Sequence, residues 1–151
     1  MVKTAFVLAG GLGLRLREIV GDVPKPLAQV AGVPFLIHLL RYLTSYGVEE
    51  VILCVGYKGE IVQAVIGDSF GACRIRYSHE STARGTGGAL FLGLERFPPQ
   101  GQFLVLNGDT FFPIDLELFS RESADGDWVW KLALFAASDL QRYSAVDLDS
   151  R

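Results

Sequence analysis

The chain has 151 residues, and half of them are apolar, so it is long enough to bury one sizeable hydrophobic core. Its formal net charge is −3, which gives no electrostatic reason to bind nucleic acid or an anionic membrane. No apolar run approaches the roughly 20 residues that span a bilayer, and the first residues lack a secretory-signal pattern. Cys54 and Cys73 lack metal-ligand spacing and are predicted to be reduced core thiols. We therefore expect a soluble, cytoplasmic protein.

Short apolar runs with strand composition alternate with helical patterns along most of the chain. The predicted strands are residues 5–9, 51–55, 75–77 and 103–106. The predicted helices run from Pro34 to a C-terminal glycine at Gly47, and over residues 60–66 and 87–97. Buried strands separated by helices predict an α/β fold, a three-layer, doubly wound and mostly parallel sheet.

The last part of the chain has a different pattern. Residues 128–137 form a long β-like run and residues 144–148 a short one, with a polar loop between them. These runs predict an antiparallel extension at the edge of the sheet. Because no repeat or linker divides the sequence, residues 1–151 are predicted to form a single domain.

A glycine-rich turn follows the first predicted strand, at the edge where doubly wound sheets bind ligands. Gly10, Gly11 and Gly13 would let the backbone approach a phosphate closely. The turn is not the phosphate loop of ATPases, because no Lys-Ser or Lys-Thr follows it. The dinucleotide fingerprint also fails, because Leu16 stands where its last glycine is required. A hydride-transfer enzyme is therefore disfavoured.

Two cations accompany this turn. Arg15 lies beside it, and Lys25 stands a little further on between Pro24 and Pro26. The prolines restrict the backbone around the lysine and so aim a flexible side chain. Taken one at a time, these features favour an ordinary tight turn with a solvated arginine and an exposed lysine. Together they favour a site for a polyphosphate, whose charge must be neutralised during reaction.

The run from Gly10 to Leu16 and the following Pro-Lys-Pro-Leu resemble the signature of sugar-1-phosphate nucleotidyltransferases. The likeness continues at residues 85–89 and at Asn107-Gly108-Asp109, and it covers nearly the whole chain. Shorter stretches, such as residues 55–57 and 142–143, look most like the heptose-1-phosphate guanylyltransferase branch. The resemblance implies the nucleotide-diphospho-sugar transferase fold, and the joining of a sugar 1-phosphate to a nucleoside triphosphate with release of pyrophosphate.

The same resemblance implies roles for individual residues. Arg15 would hold the leaving pyrophosphate, and Lys25 would stabilise the charge around the α-phosphate. Asp109 would hold Mg²⁺, which typically uses one or two carboxylates together with phosphate oxygens; an ordinary turn aspartate is the alternative. The implied nucleotide-binding residues are Leu8, Gly10, Gly11, Gly13, Glu80, Gly85, Thr86, Gly87 and Gly88, and the implied sugar-binding residues are Asn107 and Ser144.

The choice of base depends on Glu80, in the loop before the third predicted helix. A glutamate can accept hydrogen bonds from guanine N1–H and the guanine amino group, which favours GTP with a heptose 1-phosphate. UTP, dTTP or ATP with mannose, glucose or N-acetylmuramate phosphates stay open, as does a solvated loop acid. His38 and His79 are predicted to be surface or structural residues.

Three departures from the family pattern affect these expectations. Leu14 stands where most members have threonine, and Ser144 replaces a glycine near the sugar. Family members also continue into a Glu-Lys-Pro segment for the sugar phosphate and a second metal-binding aspartate, which this sequence does not contain. We expect a domain that lacks its C-terminal sugar-binding part. A non-catalytic nucleotide-binding or regulatory module is therefore the alternative function, a flavodoxin-like binding domain is disfavoured, and homo-oligomerisation is left open.

Overall fold

A computed structural model of the protein describes residues 1–11, 23–121, 130–136 and 146. Its strands are β1 (Thr4–Leu8), β2 (Gln29–Val30), β3 (Val33–Pro34), β4 (Glu50–Val55), β5 (Ser69–Phe70), β6 (Cys73–His79) and β7 (Phe103–Asn107). Its helices are α1 (Phe35–Ser45), α2 (Gly59–Ile66), α3 (Gly85–Arg96) and α4 (Leu116–Arg121), with a short 3₁₀ turn at Lys25–Leu27.

The main sheet has the strand order β5-β6-β4-β1-β7. The strands β6, β4, β1 and β7 are parallel, and β1 lies between β4 and β7. Leu8 is level with Cys54 on one side and with Asn107 on the other. The carboxyl ends of the parallel strands therefore meet at one edge of the sheet, as the sequence predicts.

Helices cover both faces of this sheet, which explains why the central strands β1 and β4 are buried and almost entirely apolar. On one face, Ala5 and Val7 belong to the same buried cluster as the leucines of α1 and residues of α2 and α4. On the other face, Phe6 packs with Ile52, Cys54 and Ala89 of α3. The predicted three-layer α/β fold with a mostly parallel sheet is confirmed.

Two local predictions are also confirmed. Gly47 follows the last residues of α1 with a φ angle of 76°, the left-handed conformation that glycine adopts most easily at a helix end. Cys54 and Cys73 are buried and not disulfide-bonded. Burial, and secondly the nearby charge of Glu80, raises the pKa of the Cys54 thiol to about 11, so this thiol is protonated near neutral pH.

The antiparallel edge lies elsewhere than the sequence predicts. It is formed by β5, which pairs with the beginning of β6. The strand predicted over residues 128–137 is wrong for the described part, because residues 130–136 contain no strand. Trp130 is 63% exposed and Leu132 is 66% exposed, so this run is not packed as a sheet would require. The short run predicted at 144–148 lies outside the described residues, apart from Val146.

No helix in the part of the chain that the structure describes has the length and apolar character needed to cross a bilayer.

Candidate active site

The candidate site lies at the carboxyl ends of β1, β4, β6 and β7. Backbone hydrogen bonds continue just beyond these ends: Ala9 N–H donates to Cys54 O over 2.8 Å, and Gly108 N–H donates to Leu8 O over 2.8 Å. A Cβ atom on the buried Gly108 would lie 3.0 Å from that same Leu8 oxygen. The backbone segments that follow β1 and β7 are therefore in close contact, and Asp109 comes directly after Gly108 at this contact.

Lys25 and Asp109 form an ion pair at this edge. The Lys25 ammonium donates a hydrogen bond to Asp109 Oδ2, although the two residues are 84 positions apart in sequence. Their side chains are 39% and 34% exposed, so both charges remain accessible to a ligand. An exposed pair of this kind contributes at most about 1 kcal/mol to stability. The pair is therefore free to exchange partners at little cost.

The backbone that carries Lys25 is firmly held. Pro26 and Leu27 of the 3₁₀ turn are buried, and Leu27 N–H donates to Pro24 O over 2.8 Å. Ala28 N–H donates to Lys25 O over 3.1 Å. The lysine thus projects from a fixed turn, which agrees with the restriction that the flanking prolines impose.

Glu80 approaches the same edge from the end of β6. Its backbone N–H donates to Val55 O over 3.0 Å, and its Oε2 accepts the Arg84 backbone N–H over 3.2 Å. Its Oε1 lies against the backbones of Gly10 and Gly56, since a Cβ atom on either glycine would be 2.9 Å from this oxygen. The carboxylate is therefore held over the glycine turn that follows β1.

The glycines at residues 85–88 form the first turn of α3. Gly85 has a φ angle of 72°, and helix α3 begins there, two residues earlier than predicted. Gly85, Thr86 and Gly87 are exposed, so the unpaired N–H groups of this first turn can face a ligand. Gly88 is needed for packing, because a Cβ atom there would lie 2.5 Å from Arg84 Cβ.

The remaining predicted residues are distributed as follows. Leu8 and Asn107 pair across β1 and β7 at the last strand positions, and Gly11 is exposed just beyond. Gly13, Arg15 and Ser144 lie outside the described residues, as does Leu14. Among the described residues, no group of three or more histidine, cysteine or acidic side chains is arranged to hold a metal ion.

Both histidines have structural contacts. The His38 ring nitrogen Nε2 lies 3.0 Å from Val30 O, and His79 Nε2 lies 3.3 Å from Gln63 Oε1. The His79 carbonyl also accepts a hydrogen bond from the Arg96 guanidinium over 3.0 Å. Their surface or structural assignment is consistent with these contacts.

A second concave surface, of about 430 Å³, lies along the β6 edge between α2 and Phe97. Its polar groups are paired with each other or with neighbours: Gln63 with Asp68 over 3.4 Å, and the Tyr77 hydroxyl with Gly67 O over 2.6 Å. Arg76 pairs with Glu50 over 2.9 Å and stacks on the Phe97 ring. This groove therefore presents no convergent set of polar groups that requires a ligand.

Two residues near the site make structural contacts that the sequence analysis did not identify. Gly56 packs against Gly10 and Glu80, and its position just after β4 matches that of Gly10 just after β1. Tyr42 of α1 anchors the loop that follows Asp109: its hydroxyl donates to Ile114 O over 2.5 Å and accepts from Ile114 N–H over 3.2 Å. Position along the strands could have revealed Gly56, whereas Tyr42 looks like any half-buried helical aromatic.

Comparison with known proteins identifies the family. Residues 5–130 match the family described as the MobA-like NTP transferase domain, and the chain belongs to it. Its relatives include enzymes named as guanylyl-, uridylyl- and cytidylyltransferases, which confirms the resemblance to sugar-1-phosphate nucleotidyltransferases.

Two relatives are named D-glycero-alpha-D-manno-heptose 1-phosphate guanylyltransferase. The protein from Campylobacter jejuni is 40% identical over 147 residues, which cover 97% of this chain and 64% of the relative. The protein from Aneurinibacillus thermoaerophilus is 38% identical, over 94% of this chain and 61% of the relative. The crystal structure of HddC from Yersinia pseudotuberculosis complexed with GMP-PN is 37% identical, with a TM-score of 0.71 over 83% of this chain and 56% of that one. The chain thus spans less than two thirds of the length of each of these three proteins.

We predict that Tyr42→Phe lowers the free energy of unfolding by about 1–3 kcal/mol, because Ile114 N–H and C=O both lose their partner. Urea unfolding followed by circular dichroism measures this change. Tyr46→Phe is the matched control. The Tyr46 ring packs on Tyr42 with centroids 5.3 Å apart, but its hydroxyl bonds to no residue that the structure describes. We expect the control to change stability by less than about 0.5 kcal/mol; equal losses for the two variants would contradict the anchoring role.

Proposed function

We propose that this protein supplies the nucleotide-binding part of a guanylyltransferase, which joins GTP to a heptose 1-phosphate and releases pyrophosphate. The observation that carries the proposal is the Lys25–Asp109 pair, accessible at the strand edge where Glu80 also lies. The names of two relatives support the substrates, because both are heptose 1-phosphate guanylyltransferases. A solved relative in complex with GMP-PN supports the guanine nucleotide.

The reaction would be a single in-line displacement. A phosphate oxygen of the sugar 1-phosphate attacks the α-phosphorus of GTP, a new P–O bond forms, and the bond to the bridging oxygen breaks. The leaving pyrophosphate departs with that electron pair. Such a transfer needs positioning and charge stabilisation more than covalent chemistry. In our proposal, Lys25 stabilises the charge around the α-phosphate and Arg15 receives the pyrophosphate.

Asp109 is proposed to hold Mg²⁺. Its contact with Lys25 supports this assignment, because the Asp109 carboxylate already pairs with a positively charged group, the Lys25 ammonium, at the strand edge. Thr110 Oγ1 lies 3.2 Å from Asp109 Oδ1 and helps to orient the group. A single carboxylate is consistent with Mg²⁺, which takes its remaining ligands from water and substrate phosphates. When bound there, the ion would neutralise part of the triphosphate charge.

Glu80 is proposed to select the base. An ionised carboxylate only accepts hydrogen bonds, and guanine presents two neighbouring donors, N1–H and the amino group. Adenine presents one donor beside an acceptor and is therefore a poorer partner. The exposed turn at residues 85–87 and the glycines at 10 and 11 are proposed to contact the nucleotide, and Asn107 the sugar.

Binding of nucleotides tests the choice of base. With Mg²⁺ present, we expect isothermal titration calorimetry to give a dissociation constant for GTP at least about tenfold below those for ATP, UTP and dTTP, because a matched bidentate pair is worth about 1–3 kcal/mol. Failure of every triphosphate to bind below millimolar concentration would contradict any nucleotide function. Tight binding of GTP without release of pyrophosphate in the presence of heptose 1-phosphate would instead favour the non-catalytic module.

Replacement of the lysine tests the chemistry. In a full-length version that includes the sugar-binding part, we expect Lys25→Ala to lower the rate of pyrophosphate release by about 10²- to 10³-fold with the fold retained, because a preorganised charge contact to the transition state is lost. Lys3→Ala is the control, since Lys3 also forms an exposed ion pair, with Glu49 over 2.5 Å, but at the start of β1. The control should keep its rate. An unchanged rate for Lys25→Ala in a folded protein would remove this lysine from the mechanism.

A further inference from the structure

Gly56 lies immediately after β4 and touches two parts of the candidate site. A Cβ atom on Gly56 would be 2.9 Å from Glu80 Oε1, 3.3 Å from Glu80 Cγ and 3.0 Å from the Gly10 carbonyl oxygen. The φ angle of Gly56 is outside the left-handed region, so its backbone conformation does not itself require glycine. The requirement is one of space.

The two neighbours of Gly56 differ in how easily they can move. The Gly10 backbone follows Ala9, whose N–H is bonded to Cys54 O over 2.8 Å, so it is tied to the sheet. The Glu80 backbone is tied as well, through its bond to Val55 O, but its carboxylate is the end of a flexible side chain. A methyl group added at Gly56 would therefore displace the carboxylate before it displaced either backbone.

We infer that Gly56 is a positioning residue for base selection. The gap that it leaves beside Gly10 fixes where the Glu80 carboxylate lies, with the Arg84 N–H holding the other carboxylate oxygen. This inference rests on the proposed function, in which Glu80 recognises guanine. Two parallel hydrogen bonds to the guanine edge need a carboxylate at one distance and angle, and such bonds weaken steeply when either is changed.

The test compares dissociation constants for GTP and ATP, each with Mg²⁺, in the wild-type protein and in Gly56→Ala. We expect the preference for GTP to fall about tenfold or more in the variant. Gly93→Ala is the matched control, a glycine of α3 whose added Cβ would lie 3.0 Å from Cys54 Sγ and 3.2 Å from the Phe6 ring in the core, without pressing directly on the Glu80 carboxylate. It should keep the wild-type preference even where its melting temperature changes.

A double-mutant cycle then asks whether Gly56 acts through Glu80. In a Glu80→Ala background, adding Gly56→Ala should leave the ratio of the two dissociation constants unchanged. An equal loss of preference in both backgrounds would overturn the inference, and so would a Gly56→Ala protein that keeps the wild-type preference. A wild-type protein without any preference for GTP would overturn the proposed guanine specificity first, and the inference with it.

If Gly56→Ala fails to fold, the double variant Glu80→Ala/Gly56→Ala supplies the test. The inference predicts that the double variant folds, as judged by circular dichroism, and binds GTP as Glu80→Ala does, because the displaced carboxylate is no longer present. If the double variant also fails to fold, the space at Gly56 is required by the Gly10 backbone and not by the Glu80 carboxylate. That result would overturn the inference.

Discussion

The parallel pairing of β1 with β4 on one side and β7 on the other is the constraint on which the candidate site depends. It sets Leu8 level with both Cys54 and Asn107, so that the carboxyl ends of β1, β4 and β7 are aligned at one edge of the sheet. These ends are close to each other: a Cβ atom on Gly108 would lie 3.0 Å from the Leu8 carbonyl oxygen, and one on Gly10 or Gly56 would lie 2.9 Å from Glu80 Oε1. Glycine at position 108 therefore leaves room for the neighbouring backbone, whereas glycine at positions 10 and 56 leaves room for the Glu80 carboxylate.

The electrostatics of the site are local. The whole chain carries a formal charge of −3, so its overall field repels a polyphosphate. A specific cation must compensate, and Lys25 stands at the strand edge on a buried turn. Its partner Asp109 neutralises it without a ligand, at little gain in stability because both groups are solvated. Exchange of this one ion pair for a phosphate and a metal ion is the chemistry that the proposed function requires.

Much of the fold follows from the sequence, because the central strands β1 and β4 are almost entirely apolar and stand out from the amphipathic helices. The same reasoning fails for residues 130–136. Their composition favours a strand, but a strand exists only where a neighbour pairs with it, and the described run has none. Composition carries no information about that neighbour.

The candidate site divides in the same way. Topology and the family pattern place Lys25 and Asp109 at one edge, and the structure brings the two side chains into contact. The position of the Glu80 carboxylate could not be predicted, because it depends on the distance between the backbones at Gly10 and Gly56. No local sequence pattern encodes that distance. The roles of Arg15 and Ser144 are based on the family resemblance alone, since both residues lie outside the described part of the chain.

The most direct test of the central claim is to locate the metal–nucleotide complex with Mn²⁺, which prefers the same oxygen ligands as Mg²⁺. With GTP bound, paramagnetic broadening of backbone amide signals in NMR spectra should be strongest at Gly10, Gly11, Gly108 and Asp109. Signals of Gln63 and Asp68, in the groove at the β6 edge, should broaden less. Broadening centred on that groove, with the strand-end glycines unaffected, would contradict the account.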